Sequence, residues 1–489
     1  MERLAWVAVF PCIIAVIWQF SRPRSASLEI EGTVAPGFEE VRRLFTEASQ
    51  EERGGTALAL LVKGELVADL YGGYSDPESG DLWTSSTKAV SFSITKVFAG
   101  LAFAHLKETA GFNYDDKVSK HWPEFSAHGK ENITIVELLD HQAKPLFVPG
   151  SGTGYSGVAY GFVLDQLLRR LDPKKRTVSQ YFAEEFKPYS SDQDFTIGIP
   201  ESESHQVAKI SNPTILQSAI AYMKRPLRYI EILTTFFKNG MIAEHSASFP
   251  KFLDLMPPNN VPFNRKEIQA VGLVSCGGIG TARALATTIR AAANRLSSAS
   301  QDLLAEPRGE AFDKVLATNR FYGHGLFYER HPFDSSRYIT VIIGNGLQYM
   351  AWDPKDDRIL IVLRNGLHAG PDGLDEVGGE KKKKIISLRR TSPSAAHSLS
   401  RALQASLVMG GCSSCLRMLL NESDVKIHVI EPTSIAGGAS ENADPPPAPA
   451  GPTLQVPPIH RPRTPDPNQP GTSQQDEETV KESKSHLAA

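Results

Sequence analysis

Cysteine is scarce: Cys12, Cys276, Cys412 and Cys415 are the four in a chain of 489 residues. So few, with Cys12 in an apolar leader and the last two in one CxxC, give no disulfide framework. Cys412-Ser-Ser-Cys415 is a CxxC, but no second CxxC or matching histidine pair accompanies it and no strand–helix–strand pattern surrounds it. Neither a structural zinc site nor a redox pair is expected there. Charge of one sign is lacking too. Lys and Arg number 52 against 55 Asp and Glu, a net of -3, which leaves no electrostatic footprint for nucleic acid. Internal repeats are missing, and no serine sits in a Gly-x-Ser-x-Gly elbow. What remains, at 41% hydrophobic and 22% charged, is an ordinary globular composition with room for a large core.

Long apolar runs are rare. "LAWVAVFPCIIAVIWQF", Leu4 to Phe20, is uncharged over 17 residues, the short end of a membrane span. Arg3 precedes it, Arg22 and Arg24 follow, and no clean small-x-small cleavage site comes after. Residues 1–24 therefore read as a single-pass membrane anchor, with a cleaved secretory signal as the alternative. Asn132-Ile-Thr and Asn421-Glu-Ser would accept glycans only outside the cytosol. At the other end, residues 380–489 become Pro-rich ("ENADPPPAPAGPTLQVPPIHRPRTPDP") and bury too little apolar surface to offset ordering entropy. This tail reads as mostly disordered, offering polyproline segments to SH3 or WW domains.

Between these ends, residues 25–50 read as a linker and an amphipathic helix carrying Phe38, Val41, Leu44 and Phe45. "TALALLVKGELVADLYGGY" gives two apolar runs around Lys63-Gly64-Glu65, a hairpin signal. Helices are expected from Ser93 to about Glu108, Tyr160 to Leu171 and Ala282 to Leu296. Strands return as "YITVIIGNG", "LQYMAW" and "RILIVLRNG", the last two flanking a turn at Asp353–Asp357. Strands opening and closing the domain, with helices between, predict an α+β fold whose antiparallel sheet joins the two chain ends around an inserted helical subdomain.

The stretch "SFSITK" places Ser93 and Lys96 three residues apart, on one helical face. A serine hydroxyl is a weak nucleophile until a neighbour takes its proton, and a partly buried lysine amine can do so. The helix N-terminus would offer backbone N–H groups to a developing oxyanion. On the residues alone, a serine cap followed by an exposed lysine is the preferred reading.

Longer blocks bear on that choice. "GGTALALLVKGELVADLYGGYSDPESGDLWTSSTKAVSFSITK" resembles the opening of the serine β-lactamase-related family, which includes class C β-lactamases, penicillin-binding proteins and esterases. "WPEFSAHGKENITIVELLDHQ", "GYSGVAYGFVLDQLLRR", "VSCGGIGTARALATTIRAAA" and "LQYMAWDPKDDRILIVLRNG" are similar, in order, to later blocks of its esterase-like branch, and the resemblance covers about residues 35–370. It implies a β-lactamase/transpeptidase-like fold and a serine hydrolase of small esters or amides, without metal or organic cofactor. Ser93 would be the acylated nucleophile, Lys96 its base and Tyr155 the proton-relaying tyrosine.

The chain also departs from the family pattern. The third motif should bring a Lys or His before a glycine on a strand, and Ile342-Ile343-Gly344 stands there instead. Gly344 and Asn345 would still supply oxyanion or substrate contacts. Ser93 and Tyr155 are only 62 positions apart, the shortening falling near Pro145 to Val148, and no terminal helix is recognisable after His368. These departures leave a second reading: a catalytically impaired β-lactamase-fold scaffold or assembly protein at a membrane. Asp140-His141 mimics part of a Ser-His-Asp triad and His324-x-Gly-like "YGHG" mimics a third motif. Both histidines are read as structural.

Overall fold

A computed structural model describes residues 28–50, 52–143, 152–213, 261–331 and 334–368, together with 227, 230–231 and 234–235. The leader Leu4–Phe20, the segment around Pro145–Val148, the tail, and Cys12, Cys412 and Cys415 lie outside the described residues. Among the described residues no helix is long and apolar enough to cross a membrane.

The chain enters through β1 (Ile30–Val34) and helix α1 (Glu39–Ser49), then β2 (Gly55–Val62), β3 (Glu65–Asp76) and β4 (Asp81–Leu82). The stretch expected to be linker thus contributes a strand, β1 pairing antiparallel with β3. Lys63 and Gly64 turn the β2–β3 hairpin, both with positive φ, 51° and 84°. Two consecutive left-handed residues match the twist of the flanking strands.

Next come β5 (Ala89–Val90), α2 (Val97–Ala110), α3 (Ala159–Leu171), α4 (Val178–Glu185), β6 (Phe195–Ile197), β7 (Gly278–Gly280) and α5 (Ala282–Asn294). Six strands close the domain: β8 (Gly309–Asp313), β9 (Thr318–Gly323), β10 (Leu326–His331), β11 (Asp334–Gly344), β12 (Gln348–Asp353) and β13 (Arg358–Arg364). The main sheet runs β1-β3-β2-β13-β12-β11-β10-β9-β8, and β5, β7 and β6 make a small second sheet. β2 pairs antiparallel with β13, so the two ends of the domain meet at the sheet centre as expected.

Both faces of that sheet are covered, which explains why its central strands read as unbroken apolar runs. On β2, Ala57, Ala59 and Leu61 face the core shared with α2, α3 and α5. Leu58, Leu60 and Val62 face the opposite core, closed by Val41, Leu44 and Phe45 of α1. Helix α2 is enclosed, every residue from Val97 to Ala104 being buried. A helix apolar on all sides belongs in a core, and its start carries the Ser93 turn.

Candidate active site

The expected helix start at Ser93 is instead a tight 3₁₀ turn, Phe92–Lys96, that leads directly into α2. Phe92 takes a positive φ of 46°, a backbone conformation costly for an aromatic residue. Three staples hold it. Ser91 N–H donates to the Gly278 carbonyl at 2.8 Å. The Thr95 hydroxyl donates to the Phe92 carbonyl at 2.6 Å and accepts from Gly278 N–H at 3.0 Å. The Phe92 ring meets Phe263 edge-on at 4.9 Å.

The turn brings three of the expected residues together. Ser93 Oγ lies 2.6 Å from the Tyr155 hydroxyl and accepts from Lys96 Nζ at 3.2 Å. Lys96 is completely buried. Its Nζ also donates to the Gly157 carbonyl at 2.9 Å and the Ser275 carbonyl at 2.7 Å. Three polar neighbours therefore surround Nζ, two of them carbonyls that accept N–H bonds whatever the proton does. The remaining direction points at Ser93. The unusual Ser156-Gly157 after the tyrosine supplies, through the Gly157 carbonyl, one of those anchors.

Two further residues order this trio, and sequence reasoning missed both. The fully buried carboxylate of Asp313 accepts from the Tyr155 backbone N–H at 2.9 Å and the Tyr322 hydroxyl at 2.5 Å. Its other oxygen accepts from Val315 and Leu316 N–H, both at 2.8 Å. Ser275 Oγ donates to the Val158 carbonyl at 2.8 Å and accepts from Gly161 N–H at 2.6 Å, satisfying the start of α3 while its own carbonyl holds Lys96. The flanking Gly-Gly and Gly-Ile-Gly were the only local signal for Ser275. Asp313 is the last residue of β8, and no sequence signal marks it.

Gly344 and Asn345 line the same cavity, about 520 Å³, as Ser93 and Tyr155. Gly344 ends β11, where pairing with β10 stops at Thr340 and pairing with β12 continues to Gln348. A side chain there would meet the Ser91 carbonyl at 2.8 Å and Gln348 at 2.9 Å, so only glycine lets the strand end approach the Ser93 turn. No basic side chain stands at 342–344. The remaining lining is dominated by apolar groups such as Phe92, Phe263, Phe327, Val341 and Leu347. Cys276 also lines the cavity, and burial pushes its thiol up.

The two histidines that mimic catalytic motifs are engaged elsewhere. Asp140 bonds Arg308 at 3.0 Å and Gly325 N–H at 3.0 Å, not His141. His141 Nδ1 accepts from Ser156 N–H at 3.2 Å and its ring stacks on Tyr160 at 4.3 Å. Tyr160 is buried and donates to the Leu139 carbonyl at 3.0 Å. His324 turns the β9–β10 hairpin with φ 55°, and burial, then nearby Arg308, pushes its imidazole down to about 4.

Relatives share this architecture. A model of the Beta-lactamase family matches residues 41–378. LipL of Mycobacterium tuberculosis, an esterase/beta-lactamase by name, is 26% identical over 296 residues, 55% of this chain and 66% of LipL. The chain thus aligns to just under two thirds of that relative's length. Among solved structures, a family VIII carboxylesterase superposes with a TM-score of 0.57 at 22% identity, covering 73% of this chain and 98% of the other. A penicillin-binding protein homologue from Caulobacter crescentus gives 0.56 at 23% identity over 73% and 98%. At those identities the superpositions speak for the fold alone. With a family match over well more than half its length, the chain belongs to the beta-lactamase family.

Proposed function

We propose that the protein is a serine hydrolase acting on small esters or amides through an acyl-enzyme. The observation that carries this reading is the hydrogen-bonded series Tyr155–Ser93–Lys96 on the floor of an apolar cavity. Ser93 Oγ attacks the substrate carbonyl carbon while its proton passes to Lys96 Nζ. The scissile C–O or C–N bond then breaks, and the Tyr155 hydroxyl gives a proton to the leaving atom and regains one from Lys96. Water attacks the Ser93 ester by the same route, releasing the acid and restoring the serine. The Ser93 N–H and the strand end at Gly344 and Asn345 provide the oxyanion contacts. A cavity of about 520 Å³ suits a small substrate, and the esterase in LipL's name points the same way.

A fluorophosphonate probe is expected to label the protein once, on Ser93, and not to label Ser93→Ala. A folded protein that stays unlabelled would sink this reading. The absence of a base at 342–344 favours the alternative of a binding scaffold. Ester turnover that Ser93→Ala abolishes removes it. In this proposal Leu4–Phe20 attaches the enzyme to a membrane, and release of the full chain by alkaline extraction would remove that part.

A further inference from the structure

Strand alternation puts Arg320 and Tyr322 of β9 on the same face, with Phe321 on the other. Arg320 pairs through its backbone with Ala311 of β8 and is only 6% exposed. Its Nε and Nη2 are buried and have no hydrogen-bond partner among the described residues. Two other buried arginines have carboxylate partners at ion-pair distance. Arg176 engages Asp172, Glu184 and Glu185, and Arg364 pairs with Glu52 at 2.9 Å. Asp313, at the far end of β8, is not a hydrogen-bond partner of Arg320, because both of its oxygens are committed to Tyr155, Tyr322, Val315 and Leu316.

Arg320 lines the same cavity as Ser93 and Tyr155. A buried guanidinium whose Nε and Nη2 lack hydrogen-bond partners is costly to hold, even with the Asp313 carboxylate on the same face of the neighbouring strand. The cost is recovered if a ligand brings the anion. His368 also lines the cavity but is engaged with Glu52 at 3.3 Å, which leaves Arg320 as the receptive group. The vacant donors are Nε and Nη2, the edge of the guanidinium whose two parallel N–H bonds match the two oxygens of a carboxylate.

Resting on the hydrolase reading above, we propose that Arg320 receives a carboxylate on the substrate. The preferred class is then apolar esters or amides that carry a free carboxylate, such as monoesters of dicarboxylic acids. The hydrocarbon part lies against Phe327, Ile342 and Leu347, and the ester carbonyl at Ser93.

Two para-nitrophenyl esters of equal length test this, the glutarate monoester and a neutral ester ending in an isopropyl group. The wild-type kcat/KM is expected to favour the glutarate ester, and in R320Q the charged-to-neutral ratio falls at least about tenfold, mainly through KM. R320K keeps part of the preference. In the Ser93→Ala background, calorimetry with monomethyl glutarate and the neutral methyl ester is expected to show the same relative loss on adding R320Q, without requiring turnover. R320Q should hold or raise the melting temperature, because no internal partner is lost. An unchanged ratio and unchanged relative affinity would overturn the proposal, and so would a melting temperature lower by several degrees. If neither ester turns over yet binding still depends on Arg320, the hydrolase reading fails and the carboxylate site stands. If Ser93 is labelled and hydrolyses both esters without Arg320-dependent preference, the reverse holds.

Discussion

On the floor of the cavity, Lys96 Nζ has three hydrogen-bond partners and the Asp313 carboxylate accepts from four donors, all without any ligand. On the wall built by β9 and β11, the Nε and Nη2 of Arg320 have no partner among the described residues, and β11 runs past the end of its pairing with β10. A fully satisfied buried network is rigid and holds one geometry. An unsatisfied buried donor calls for an explanation, and for Arg320 that explanation is the proposed substrate carboxylate. In the proposed function, the contrast separates chemistry, preorganised on the floor, from recognition, which the wall leaves to the substrate.

Breaking the floor should have the largest effect. Lys96→Met removes the proton acceptor and is expected to lower kcat by about 10²–10⁴-fold, measured as ester hydrolysis by a protein whose circular dichroism is unchanged. A loss below tenfold would mean that Lys96 is not the base. Asp313→Asn places an amide N–H₂ among donors that need an acceptor. It is expected to cost about 1–3 kcal/mol in urea unfolding and to reduce kcat more than it raises KM, because Tyr155 loses its backbone anchor. An unaltered kcat would show that the Tyr155 position does not depend on Asp313.

The wall is probed by Gly344→Val. The new side chain meets the Ser91 carbonyl and Gln348, and overpacking should cost about 1–3 kcal/mol and slow fluorophosphonate labelling of Ser93. Full stability with full labelling would disprove the tight approach of β11 to the Ser93 turn. The effect furthest from the chemistry is confined to acid. His324, behind the wall, rests against Tyr114 at 4.7 Å, with Arg308, Lys107 and Asp115 near it. Its folded value of about 4 is below the ordinary 6.5, so the unfolded chain binds the proton more readily. Stability from this group is complete above pH 6.5 and is lost as pH falls through 4, by up to about 3 kcal/mol. His324→Asn, tolerant of the positive φ, should flatten stability between pH 6.5 and 4, and an unchanged profile would refute the assignment.

Much of the sheet was legible because burial on both faces forces continuous apolar runs, as in "TALALLV" and "RILIVL", and because Lys63-Gly64 is a strong hairpin signal. β1 was not, since "IEGTV" at the sheet edge carries a glycine and polar residues and only its alternate positions are covered. The closeness of Ser93 and Lys96 was legible from three-residue spacing only together with the family-like blocks around it, and the turn is 3₁₀ with the helix starting at Val97. Asp313 and Arg320 were not. Asp313 is 158 positions from the backbone it anchors, and only the fold brings them together. Arg320 in "TNRFYG" has the neighbours of a solvated strand residue, and nothing local shows that its side chain is enclosed.

The central claim, that Ser93 is acylated with Lys96 as its base, is tested most directly by quenching the full-length protein within the first turnover of para-nitrophenyl acetate and mapping the peptides by mass spectrometry. The expected result is a burst of nitrophenol matched by a single acetyl group on Ser93, lost in Lys96→Met. Turnover with Ser93 unmodified, or an acetyl on Ser93 that forms equally fast in Lys96→Met, would contradict it.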